Sequence, residues 1–131
     1  MSNEVEFDRA LRLAGNFINI NLKFQLQHAF LPGQFIEADN LAQINETIFV
    51  YEGKVTRENA AIKQLQERHN SLKLFRIEYV KRGIFQDYKF IRLFYYSIKR
   101  KNIVEYSLNG VRFSSQKFYN INELAQLLRK L

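Results

Sequence analysis

Ser71-Leu72-Lys73-Leu74-Phe75-Arg76-Ile77-Glu78-Tyr79 decides how this chain is read. Its aromatic and branched residues predict a β-strand. With two-residue alternation, Leu72, Leu74, Arg76 and Glu78 share one face, and Lys73, Phe75, Ile77 and Tyr79 share the other. Arg76 then points to the same side as two leucines. A guanidinium on an apolar face is costly unless an anion meets it. That anion is either an internal carboxylate, with Glu78 at hand on the same face, or part of a ligand.

The 131 residues suffice for one domain with a real core, or for a small domain plus an extension. No run is long enough to span a bilayer, and the acidic start is unlike a signal peptide. The absence of cysteine removes disulfides and thiolate chemistry, and fits a reducing compartment. A cytoplasmic location is expected, or the cytosol of another cell for a secreted effector.

Charge is unevenly spread. Residues 1–46 hold three Lys/Arg and six Asp/Glu, whereas residues 47–131 hold seventeen and seven, a net of −3 against +10. The basic part should draw an anionic partner. Two segments are therefore expected: a mainly helical extension over 1–46 and a basic domain over 47–131.

Residues 3–14 suit an amphipathic helix, with Val5, Phe7, Leu11, Ala14 and then Ile18 on one stripe. Phe17 to Phe30 stays apolar without a clear period, Leu31-Pro32-Gly33 breaks the chain, and Ile36 to Ile44 reads as a short helix or turn. Ile48 to Tyr51 is a short strand. Thr56 is placed to cap a helix running to about Arg68, with Arg57 at its first position. His69-Asn70-Ser71 then turns the chain into the Arg76 strand. A loop with a Lys81-Arg82-Gly83 tip leads to a strand over Phe90–Ile98, in which Arg92 faces the side of Phe90 and Phe94. Lys99-Arg100-Lys101-Asn102 is a basic turn and Ile103–Leu108 a further strand. Asn109-Gly110 signals a tight turn before a short strand at Val111–Phe113. Asn120 caps a last helix with an Ile121, Leu124, Leu127, Leu128 stripe. The pattern predicts an α+β fold, a central antiparallel sheet with a helix on each face.

Order and residues together resemble a Src homology 2 domain, the phosphotyrosine-binding module. Gly53-Lys54-Val55-Thr56-Arg57-Glu58-Asn59-Ala60-Ala61 resembles the opening of that family's first helix. Lys73-Leu74-Phe75-Arg76-Ile77-Glu78 resembles its phosphate-gripping strand, and Val104-Glu105-Tyr106 its His-Tyr strand. Phe118 to Leu128 resembles its last helix. The resemblance implies that Arg76 and Arg57 hold a phosphate, with Arg92 in support. It puts Lys81, Arg82 and Gly83 in the phosphate-binding loop, and Glu78 and Ser107 at positions lining the same pocket. The chain departs from the family in having no Trp, in Glu78 where a serine is usual, and in Glu105 where a histidine is usual.

Phosphotyrosine presents nearly two charges and three acceptor oxygens on a rigid stem, to which the planar fork of arginine is suited. The expectation is thus a module for tyrosine-phosphorylated peptides or proteins. In Src homology 2 domains the loops around the last helix wall the groove that reads the flanking residues. Here only Val111 to Lys117 precedes that helix, so the resemblance implies low selectivity for flanking sequence. His28 and His69 sit in no ligand spacing, and there is no phosphate loop or dinucleotide fingerprint, so no enzyme, metal or cofactor is expected. Two alternatives remain open. One is a nucleic-acid-binding domain using basic and aromatic residues. The other is a scaffold that keeps the fold without binding phosphate.

Overall fold

The computed structural model describes residues 6–14, 41–109 and 112–131. In order, these form α1 (Glu6–Ala14), β1 (Leu41–Ile44), β2 (Thr47–Val55), α2 (Glu58–Leu74), α3 (Arg76–Lys81), β3 (Phe90–Ser97), β4 (Asn102–Asn109), β5 (Arg112–Tyr119) and α4 (Ile121–Arg129). The fold is α+β, with a five-stranded sheet in the order β1-β2-β3-β4-β5.

The stretch 71–79 is helical, not a strand. No Gly or Pro lies between Arg68 and Arg82, and His69, Asn70 and Ser71 each cost a helix only tenths of a kcal/mol, roughly, relative to Ala. The deciding contribution is tertiary. Leu65, Leu72 and Tyr79 are spaced by seven residues and are fully buried, so one helical seam feeds the core. Strand alternation would have grouped Leu72 with Leu74. Instead Leu74 and Ile77 project into solvent, 73% and 72% exposed. The helix bends at Phe75, yet the bonds Phe75 N–H to Ser71 O and Tyr79 N–H to Phe75 O, both 3.0 Å, carry the ladder across the bend. Ser71 Oγ and Tyr79 Oη lie 2.8 Å apart, and Tyr88 Oη donates to the Leu72 carbonyl.

Because α2 and α3 fill the connection between β2 and β3, the two strands run parallel, from Thr47 beside Phe90 to Val55 beside Ser97. The sheet is therefore mixed rather than antiparallel throughout. The other pairs, β1–β2, β3–β4 and β4–β5, are antiparallel.

Two cores lie on opposite faces of this sheet. Leu65, Leu72 and Tyr79 from α2 and α3 meet Ile48, Val50, Leu93, Tyr95 and Val104 on one face. Tyr79, Phe85 and Tyr88 pack edge to face there, with centroids 6.0 and 5.7 Å apart. On the other face, Ala10, Leu11 and Ala14 of α1 and Leu124 and Leu128 of α4 meet Phe49, Tyr51, Phe94 and Ile103. Arg129 of α4 donates to the Leu13 and Ala14 carbonyls, at 2.6 and 3.4 Å, closing the C-terminal end of α1.

Several expected boundaries move. Residues 41–44 are a strand rather than a helix or turn, joined to β2 by a two-residue turn in which Asn45 takes positive φ. The boundary expected between residues 46 and 47 falls at the end of that turn, and both sides of it contribute to the same two cores. Arg57, not Thr56, is the cap of α2, and its side chain makes no capping bond. The helix passes Arg68 and ends at Leu74. The last strand is longer than expected, while Asn120 caps α4 as read, in a reciprocal box with Glu123. The expectations for Val5, for Phe17 to Asn40, and for Gly110-Val111 lie outside the described residues.

A proline separates the two readings of 69–71. Asn70→Pro lies in the exposed interior of α2 and should cost about 3 kcal/mol in a urea titration. A turn at His69-Asn70-Ser71 would tolerate it with little change.

Candidate functional site

The residues expected to form one pocket are dispersed. Arg76 opens α3 at the surface, where its Nε and Nη2 each donate at 2.9 Å to the carboxylate of Asp87. Both partners are well exposed, at 44% and 61%. Glu78 is exposed on the same short helix. Arg57 stands at the far end of α2, whose 17 residues separate it from Arg76 by roughly 25 Å at 1.5 Å per residue. One phosphate cannot bridge them.

Lys81-Arg82-Gly83 is a helix stop. Gly83 takes φ +74°, Gly83 N–H bonds to the Val80 carbonyl, and Ile84 N–H bonds to the Tyr79 carbonyl, both at 3.0 Å. Arg82 N–H bonds to the Glu78 carbonyl at 3.0 Å. This is the Schellman arrangement. Its amides are spent on the helix's own carbonyls, so the expected phosphate-binding nest is not formed there.

Arg92 lies on the other face of the sheet. Its Nε and Nη2 donate to Glu105 at 2.6 and 2.7 Å, and its guanidinium stands 5.8 Å from the centre of the Phe94 ring. Tyr119 Oη donates to the same carboxylate at 3.0 Å. Glu105, at the position where the Src homology 2 family has a histidine, is therefore the partner of Arg92. The bond to Glu105 raises the Arg92 pKa further, so the guanidinium stays charged. Ser107 follows Glu105 on that same face by strand alternation, away from Arg57 and Arg76.

A different constellation forms at the end of the sheet where β2 and β3 finish. Ile98 N–H bonds to the Val55 carbonyl at 3.1 Å, holding the β3–β4 turn against the end of β2. Within the turn, Lys101 N–H bonds to the Ser97 carbonyl at 2.8 Å, Arg100 N–H bonds to Ser97 Oγ at 3.1 Å, and Lys101 takes φ 54°. Lys99, Arg100 and Lys101 are thereby turned outward and are exposed. An open cleft of about 510 Å³ lies between this turn and the start of α2, lined by Thr56, Arg57, Glu58, Asn59, Ala60 and Lys99. Arg100 lies 3.4 Å from Glu58 and 5.3 Å from the centre of the Phe118 ring.

A second cleft, about 350 Å³, opens on the opposite face of the same end, between Tyr96, Lys101, Asn102, Tyr119 and the start of α4. Asn102 Oδ1 is buried there with no partner among the described residues. Since β5 ends beside Ile103 and β2 beside Ser97, α2 and α4 both begin at this end. The uncapped start of α2 and the positive dipole ends of both helices add to the four exposed cations, although Glu58 and Glu123 stand in their first turns.

The sequence had marked Lys99-Arg100-Lys101 as a basic turn but not its meeting with Arg57. That follows only from the parallel β2–β3 register. Among the described residues no cluster of His, Cys, Asp or Glu could hold a metal, and no helix is long and apolar enough to cross a membrane.

In comparisons with known proteins, no family model, no curated protein and no solved structure matches this chain.

Two measurements check the electrostatics. Glu105→Ala strands a largely buried guanidinium and should cost about 3 kcal/mol, whereas Arg76→Ala, which breaks a surface pair, should cost less than about 1 kcal/mol. Burial, and then the neighbouring carboxylates Glu58 and Glu105, push Tyr95 and Tyr119 up to about 12. Burial also raises Tyr79, Tyr88 and Tyr106. Raised folded-state values mean that this stability is complete below pH 10, the unfolded value, and is lost as pH climbs through 12. The urea midpoint should be flat up to about pH 10 and then fall together with tyrosinate absorbance.

Proposed function

We propose that this chain is a non-enzymatic module that binds nucleic acid through the end of the sheet carrying the β3–β4 turn. The observation that carries this reading is the convergence of Arg57, Lys99, Arg100 and Lys101 with the starts of α2 and α4. These positive groups spread over both faces of the sheet instead of closing around one point. A phosphomonoester is held by donors that converge within hydrogen-bond reach of it. A row of backbone phosphates suits a distributed set, and the surplus of +10 over residues 47–131 favours polyanions at long range.

The Src homology 2 resemblance supports a second reading, phosphotyrosine binding, from one observation. Arg57, placed by the resemblance at the phosphate, shares the 510 Å³ cleft with Lys99 from the turn that follows the first strand after the helix. In that reading the phosphate site is made by Arg57 and Lys99, with no role for Arg76, Glu78, Lys81 or Arg82.

Fluorescence anisotropy with labelled oligonucleotides and a phosphotyrosine peptide separates the two. Neutralising Lys99, Arg100 and Lys101 together should weaken oligonucleotide binding at least tenfold near 0.1 M salt. It should also flatten the dependence of log K on log salt by about 2. Arg76→Ala should change neither. Tighter binding of the phosphopeptide than of any oligonucleotide, abolished by Arg57→Ala, would transfer the assignment to phosphotyrosine.

A further inference from the structure

We infer that the nucleic acid recognised is single-stranded and that Phe118 is a stacking platform for one of its bases. This rests on the nucleic-acid reading and specifies its ligand.

Phe118 lies opposite Val104 in the β4–β5 register, and Val104 belongs to the core beneath α2. The Phe118 ring therefore faces the α2 side of the sheet. That helix packs chiefly over β2 and β3, and among the described elements no other helix packs on the β5 edge of this face. The ring remains 44% exposed even with Arg100 over it.

One exposed phenylalanine is ordinary on any protein surface. This one is distinguished by its neighbours. Its guanidinium partner comes from the turn that also carries Lys99 and Lys101, and that turn lines the Arg57 cleft. An aromatic face and a set of cations are thus joined by Arg100. Unpaired bases need both: a flat apolar surface for the ring and positive charge for the phosphate one sugar away. Arg100 serves either partner, stacking with the base or turning to the phosphate. In a duplex, base faces are hidden within the stack, so Phe118 has nothing to pair with there. Only an unpaired strand uses the whole constellation.

The chain contains no tryptophan, which makes Phe118→Trp a unique fluorescent reporter at this position. In the full chain, oligothymidylate and oligouridylate should quench that indole on binding, and a duplex of the same length should not. Phe118→Ala should weaken oligothymidylate roughly tenfold, consistent with the usual worth of one stacked base, and should change duplex binding less than about twofold. Phe118→Tyr should bind like the parent and controls for folding. If oligothymidylate binds through the Lys99–Lys101 turn but Phe118→Ala binds it normally and the indole is not quenched, the stacking inference fails while the nucleic-acid reading stands. If duplex is preferred to single strand, the inference fails in the same way. If no oligonucleotide binds, both fall.

Discussion

The parallel pairing of β2 with β3 is the constraint on which the rest of this molecule depends. Two strands running the same way cannot be joined by a tight turn, so the chain between them must cross back over the sheet. Residues 58–81 do this as one bent helical unit anchored by Leu65, Leu72 and Tyr79. The crossover covers one face of β2 and β3. The remaining strands then add by short antiparallel turns, and α4 returns over the other face beside α1.

Charge is sorted by the same topology. Arg68 with Glu52, Arg76 with Asp87 and Arg92 with Glu105 are internal pairs. The Arg92 pair is the most buried of those on the α1–α4 face, and Tyr119 and Phe94 complete its surroundings. Such a pair adds less to stability than its geometry suggests, because both groups gave up water. It does fix the register of β3 against β4, since a slip of one residue would leave two charges buried apart. At the β3–β4 turn Arg100 pairs with Glu58 at 3.4 Å, and Lys99 and Lys101 on either side of it are exposed.

Most elements were legible in the sequence and one decisive stretch was not. Amphipathic spacing placed α1, the alternation of Phe90–Ser97 placed β3, and Asn120 with Glu123 announced α4 through a local capping signal. These are cases where local chemistry and tertiary demand agree. Residues 71–79 are a case where they diverge. Their composition favours a strand, but the seven-residue repeat linking Leu65, Leu72 and Tyr79 extends across the supposed turn and is satisfied only by a helix. Reading that stretch as a strand had two consequences. It moved Arg76 from the surface to an imagined pocket, and it made the sheet antiparallel. The candidate site was misplaced through the second error as much as the first. The neighbours of Arg57 are set by which strand ends lie beside the start of α2, and direction of pairing is not written in any local pattern.

The location of the basic end is then less accidental than its composition suggests. In any strand–helix–strand crossover, the helix starts where the first strand finishes, so its positive dipole end and open amides lie at the carboxyl ends of the parallel strands. Here the β3–β4 turn must leave from that same end, because β3 is the second parallel strand. An even number of antiparallel passes after it brings β5 back to finish there, so α4 starts there too. Two helix starts and one tight turn are brought to a single end by strand count alone. Placing Arg57, Lys99, Arg100 and Lys101 on those three pieces adds full charges to partial ones already aligned. One of these cations, Arg100, is also paired, with Glu58 at the start of α2; at the opposite end Arg76 and Lys89 are paired with Asp87 and Glu46. An anion approaching the basic end meets partial charges aligned by topology and the full charges of the exposed Arg57, Lys99, Arg100 and Lys101.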